Sequence, residues 1–185
     1  MKYFRLTTIL LVFALTFAAF TSPNPTQAAS AAEIDRDARK ALEDLYAKSP
    51  SAKAMGEKAI GILVFPGIVK GGFIVGGQYG EGALIKGGNT VAYYNSIAAS
   101  YGLQAGLQKF GYALFFMTDS ALKWIDKSDG WEIGVGPSIV VVDVGAAASM
   151  TSTTLQSDIY AFFFDQKGLM AGIGLQGTKI TRLEK

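Results

Sequence analysis

Between residues 33 and 46 apolar side chains return every three or four positions: Ile34, Ala38, Ala41, Leu42, Leu45 and Tyr46, with charges between them. That spacing predicts an amphipathic helix. Ser49 and Pro50 close it and open a second helix, Ser49 as N-cap and Pro50 at the first helical position, running to about residue 59. From Gly61 the period changes. Short apolar runs broken by Gly, Asn and Asp predict antiparallel strands. Residues 61–69 and 73–79 flank Lys70-Gly71-Gly72, and residues 83–86 and 91–94 flank Gly87-Gly88-Asn89-Thr90, so both read as hairpins. Residues 102–108 alternate Leu and Ala against Gly and Gln, and 112–118 form the next strand. Asp119 caps a short helix over 120–126. Asp129-Gly130 turns the chain into a long run over 131–143. Residues 159–164 and 169–180 form a last hairpin about 165–168. The expected fold class is α+β: N-terminal amphipathic helices packed on a curled, Gly-rich antiparallel β-sheet or partial barrel of about seven to nine strands.

Residues 1–28 do not belong to that pattern. Lys2 and Arg5 precede an apolar stretch over 6–20, followed by small and polar residues with Pro23 and Pro25. This is the layout of a cleaved signal peptide, and the apolar stretch falls short of the ~20 residues of a membrane span. Small residues permit cleavage after Ala28 or after Ala31. The organisation read from the chain is therefore a leader (1–28), a helical segment (29–60) and a β-rich part (61–185) of one domain. The protein is expected to be exported, periplasmic or secreted, and peripheral to a membrane if it meets one.

Removing the leader alters the charge. The whole chain has 17 Lys and Arg against 15 Asp and Glu. Lys2 and Arg5 are the two excess cations, so the mature chain is formally neutral and has no global field to attract a polyanion. Nucleic acid is not an expected partner.

Composition also restricts the chemistry. The chain has no Cys and no His, which excludes disulfides, Cys/His metal sites, a Cys nucleophile and a Ser-His-Asp triad. Gly172-Ile173-Gly174-Leu175-Gln176-Gly177 spells G-x-G-x-x-G, but it lies in an expected strand with too little chain after it for a dinucleotide fold. Gly177-Thr178-Lys179 reverses the Lys-Thr order of a phosphate-binding loop. The acids sit mostly at turns and caps, with Asp143 alone inside a very apolar run. A non-catalytic protein is expected, with no cofactor and no metal. The chain has 22 glycines, all from Gly56 onward. Eight of them fall between positions 71 and 88, where strands are expected, which implies sharp coiling or the close approach of another backbone or a ligand.

An ordered set of strings carries a family resemblance: Ile62-Leu63-Val64-Phe65-Pro66; the Gly-rich segment 73–86; Tyr93-Tyr94-Asn95 followed by Tyr101-Gly102-Leu103-Gln104-Ala105-Gly106; Trp131-Glu132-Ile133-Gly134-Val135-Gly136; and Gly168-Leu169-Met170-Ala171-Gly172 through Gly177-Thr178-Lys179. Together they resemble the SYLF-domain family, also described as lipid-binding or actin-regulator domains, in its exported bacterial branch. The resemblance spans about residues 33–183. It implies a lipid or membrane surface as partner, through an N-terminal amphipathic helix corresponding to residues 33–48. On that helix Ile34, Leu42 and Leu45 would insert or pack, and Arg36, Arg39, Lys40 and Lys48 would meet headgroups. Here the helix departs from its basic relatives: those four cations face Glu33, Asp35, Asp37, Glu43 and Asp44. Lipid binding then carries over as a class, without a headgroup preference. Two other readings stay open: a soluble envelope scaffold that binds a protein partner, and a small outer-membrane β-barrel. Oligomeric state is not legible.

Overall fold

The computed structural model describes residues 29–126, 130–142, 157–168, 175 and 177–185. The leader, Asp129, Asp143 and most of Gly172–Gly177 lie outside them. Helix α1 spans Ala31–Lys48, α2 spans Pro50–Gly56 and α3 spans Asp119–Leu122. The strands are β1 (Gly61–Lys86), β2 (Asn89–Phe116), β3 (Trp131–Glu132), β4 (Ile139–Val142), β5 (Ile159–Gly168) and β6 (Lys179–Leu183). The helix packs on a strongly curled, mostly antiparallel half-barrel.

Local chemistry sets the helix ends. Ser30 accepts from the Glu33 backbone N–H while the Glu33 carboxylate accepts from the Ser30 N–H, a complete capping box. Ser49 caps α2, with Pro50 in its first turn. The expected second helix is shorter than the pattern suggested, ending at Gly56. The short third helix is capped by Thr118, with Asp119 inside its first turn.

The sheet is built on two very long strands instead of a chain of short hairpins. Only one of the two early hairpins forms: Gly87 (φ +54°) and Gly88 (φ +79°) supply the left-handed turn that pairs Lys86 with Asn89. Lys70-Gly71-Gly72 is no turn. It pairs with Gln108-Leu107-Gly106 of β2, and β1 continues through it. Register shifts between Phe65 and Ile68 and between Gly72 and Ile74 fold the hairpin sharply, so that each long strand has two legs. The legs of β1 then meet backbone to backbone. A Cβ on Gly80 would stand 2.6 Å from the Gly67 carbonyl oxygen, and one on Gly82 would fall on the carbonyl oxygen of Val64. The glycines therefore answer the close approach of another backbone.

Strands are ordered β3-β6-β2-β5-β4, with β1 paired to β2. All pairs are antiparallel except β4 with β5, so the sheet, expected to be antiparallel, has one parallel edge. The expected run over 131–143 divides into β3 and β4, and β5 continues through the expected turn at 165–168. Asp165 adopts a left-handed φ of 51° there, at a bulge opposite Lys109 and Gly111.

Side-chain alternation gives the sheet two buried faces. One packs Leu63, Phe65, Tyr94, Tyr112, Phe116 and Trp131 against α3. The other packs Val64, Ile85, Ala113, Phe115, Phe162 and Phe164 against the apolar stripe of α1.

Candidate functional site

The helix residues expected to meet lipid are divided by the fold. Ile34, Leu42 and Leu45 are 3%, 9% and 1% exposed, packed on the sheet. Arg39 is a clamp: its guanidinium donates to Asp35 (2.9 Å), to the Gly88 carbonyl (2.8 Å) and to Thr90 (3.2 Å), tying α1 to the β1–β2 turn. Thr90 donates in turn to Asp35. The Arg39 and Thr90 hydrogen bonds hold the Asp35 carboxyl below the usual carboxylate range. Arg36, Lys40 and Lys48 remain on the outer surface, each beside an acid: Asp37 at 2.8 Å, Asp44 at 2.8 Å and Asp165 at 2.9 Å. The sequence places Arg36, Arg39 and Lys40 on one stripe; the structure gives Arg39 a different task from the other two.

Beside α1 lies a groove of about 800 Å³, where the helix edge meets both legs of β1. Ile34, Ala41, Pro66, Val69 and Tyr79 form its apolar walls, and Lys40 and Lys109 stand on opposite sides. Its acids are engaged. Asp37, Asp44 and Asp165 hold the helix cations, and Glu81 accepts from Tyr79 (2.8 Å) and Lys185 (3.1 Å). Burial and the Glu81 carboxylate push the Tyr79 hydroxyl up to about 12, so it is a neutral hydrogen-bond donor at neutral pH. Lys185 also donates to the carbonyl of Ala29, a groove-lining residue.

From the groove walls Val69 and Tyr79 onward the same sheet face is bare. Val69, Val75, Tyr79, Ile97 and Leu107 are between 46% and 68% exposed. Sequence reasoning did not single them out, because in a strand pattern an outward apolar residue looks like core until the covering element is known to stop short. The continuous apolar runs over 61–65 and 83–85, each giving way to glycines within two residues, are the signal in the sequence.

The opposite sheet face carries a polar layer at the same end. Lys70, Gln78, Ser96, Gln108 and Thr178 are buried there. Gln78 donates to Thr178 (3.2 Å) and Tyr112 to Ser96 (2.8 Å). Burial raises the Tyr112 hydroxyl well above its ordinary value. Among the described residues Gln108 Oε1 and Asn95 Oδ1 have no hydrogen-bond partner, and no group of three or more acids stands close enough to hold a metal ion. No described helix is long and apolar enough to cross a membrane.

The arrangement thus offers an apolar groove continuing into a bare sheet face with lysines beside it, a geometry for contact with an amphipathic surface. No curated protein matches the chain. From the middle of β2 to Lys185, over residues 97–185, the chain matches the family model described as Ysc84: Las17-binding protein actin regulator.

Proposed function

We propose that this protein is a non-catalytic, lipid-binding or membrane-surface-binding domain of the cell envelope, exported by its N-terminal leader. The observation that carries the reading is the continuous apolar surface from the groove beside α1 onto the uncovered part of the sheet. Isolated exposed apolar residues need no explanation, whereas a contiguous set does. The family match supports a binding role, and the SYLF resemblance supports lipid as the ligand class. The leader pattern over 1–28 supports export, to the periplasm or beyond.

Flotation of the mature protein with vesicles made from an envelope lipid extract tests the ligand class. Co-migration with vesicles is the expected result. Protein that stays at the bottom of the gradient with every lipid mixture favours the scaffold reading. Release from cells by salt or mild buffer without detergent is expected, and a detergent requirement would favour the barrel.

A further inference from the structure

We propose that the protein meets an anionic phospholipid bilayer through the bare β1–β2–β5 surface, with Lys109 and Lys167 holding lipid phosphates and Val69, Val75 and Leu107 entering the headgroup layer. This rests on the lipid reading above and assigns it a surface and a headgroup charge.

The register supplies the first reason. Lys109 on β2 is paired with Val69 on β1 and with Lys167 on β5, so the two lysines stand opposite each other across neighbouring strands on one face. Both are exposed. Like charges in that position repel, and among the described residues neither has a carboxylate within ion-pair distance. The contrast with α1 is direct, since Arg36, Arg39, Lys40 and Lys48 each have an acid. An anion between Lys109 and Lys167 would relieve the repulsion, and the described residues supply none.

The second reason is what surrounds them. Leu107 is 68% exposed and Val75 64% exposed. The Leu107 side chain lies across Gly71 and the Lys109 stem lies across Gly67, where an added Cβ would stand 3.2 Å away in each case. Glycine thus lets both side chains lie along the sheet. A free anion would need the lysines and not the apolar residues, and a protein partner of neutral surface would need the reverse. An interface with apolar side chains at its centre and lysine ammonium groups reaching to phosphate is the pattern of a bilayer contact.

The test is flotation of the mature protein with vesicles of phosphatidylcholine alone and of phosphatidylcholine mixed with phosphatidylglycerol. Wild type is expected to bind the anionic vesicles more tightly. Lys109→Glu with Lys167→Glu is expected to lose at least about tenfold on anionic vesicles and little on neutral ones, each basic side chain near an anionic surface contributing to affinity. Lys109→Gln with Lys167→Gln removes charge without adding any, and should show the same direction if reversal disturbs the fold, which circular dichroism and the thermal midpoint report. Leu107→Ser should weaken binding to both vesicle types, and Arg36→Glu, on the outer surface of α1 and outside the groove, should leave it within about twofold. Wild-type binding that survives both lysine pairs, or that is lost only with Arg36→Glu, overturns the surface while the lipid reading stands. Wild type that floats with neither vesicle overturns the lipid reading and this surface together.

Discussion

One face of the sheet is treated in two ways along its length. Near the β1–β2 turn and the start of β1, Val64, Ile85, Ala113 and Phe115 are sealed beneath α1. Farther along, from the groove wall at Val69 onward, Val69, Leu107 and Val75 point from the same face into solvent. The strands, their pairing and their apolar character continue across the boundary; what changes is the cover. The covered half shows what this face does in a stable fold, which is to bury apolar area against an amphipathic partner. The bare half presents the same chemistry without an intramolecular partner, and its cations lack the acids that accompany those on α1. The apolar stripe of α1 covers the core, and the exposed apolar surface lies on the strands beside it.

Truncating the two halves should separate them most widely. Leu45→Ala removes a side chain 1% exposed beneath α1, and is expected to cost about 2–5 kcal/mol in urea or guanidinium unfolding. Leu107→Ala, at 68% exposed, should change stability by no more than about 0.5 kcal/mol. Similar losses at both positions would show that the bare half is covered in solution.

The close approach at Gly80 and Gly82 is what lets the two legs of β1 meet at the groove. Gly82→Ala would set a methyl group against the Val64 carbonyl and the Phe65 ring, at an expected cost of about 1–3 kcal/mol. Gly77→Ala, whose Cβ would stand 3.6 Å from the nearest backbone oxygen, should be far milder. Equal thermal midpoints for the two variants would contradict the close approach.

The start of α1 links cover to processing. Ser30 caps the helix and Ala29 accepts from Lys185, so cleavage after Ala28 keeps both features and cleavage after Ala31 removes them. Ser30→Ala should cost about 1 kcal/mol, and, with export as proposed above, intact mass of the processed protein should show Ala29 as its first residue. A chain beginning at Ala32, or one retaining Met1, would defeat that assignment.

A smaller effect comes from the clamp that fixes α1 to the β1–β2 turn. Asp35 has a depressed carboxyl in the folded state, through its hydrogen bonds to Arg39 and Thr90. A group depressed on folding contributes stability above its unfolded pKa and loses it as pH falls through the folded value. The clamp is therefore intact at neutral pH and weakens below about pH 4. Asp35→Asn should lower the midpoint at pH 7 and narrow the difference from wild type at low pH; a constant difference across that range would place the effect elsewhere.

How much of this was legible depended on whether the information was local. Ile34, Ala38, Ala41, Leu42 and Leu45 repeat at helical spacing, and all five are buried. Ser49 and Pro50 mark a boundary with their own chemistry, as do Gly87 and Gly88. Lys70-Gly71-Gly72 misled because glycine serves equally for a turn and for two backbones in contact, and only the distant partner, Gln108-Leu107-Gly106, distinguishes them. The parallel pairing of β4 with β5 leaves no mark in local alternation. The same limit applies to the site. Arg36, Arg39 and Lys40 form a stripe on a helical wheel, but Gly88 and Thr90, which claim Arg39, are about fifty residues away. Lys109 and Lys167 are unremarkable until β2 and β5 are placed side by side. Two of the strings that carry the family resemblance, Ile62-Leu63-Val64-Phe65-Pro66 and the Gly-rich 73–86, and Tyr93-Tyr94-Asn95 of a third lie outside the matched residues 97–185.

A small expected gain in stability is also the effect that separates stability from binding. Lys167→Glu turns a like-charge cross-strand pair with Lys109 into one of opposite sign, and such a change should raise stability by about 0.2–1 kcal/mol. It should at the same time weaken binding to anionic vesicles, because Lys109 then has a carboxylate within the protein and one cation is gone. On the covered half, a variant that improves an ion pair has no such consequence: the cations of α1 already have their acids. Thermal unfolding and vesicle flotation on the single Lys167→Glu protein measure both sides. A variant that gains stability and keeps its affinity would mean that the lysine pair is tolerated strain without a ligand, and the bare half would then differ from the covered half in exposure alone.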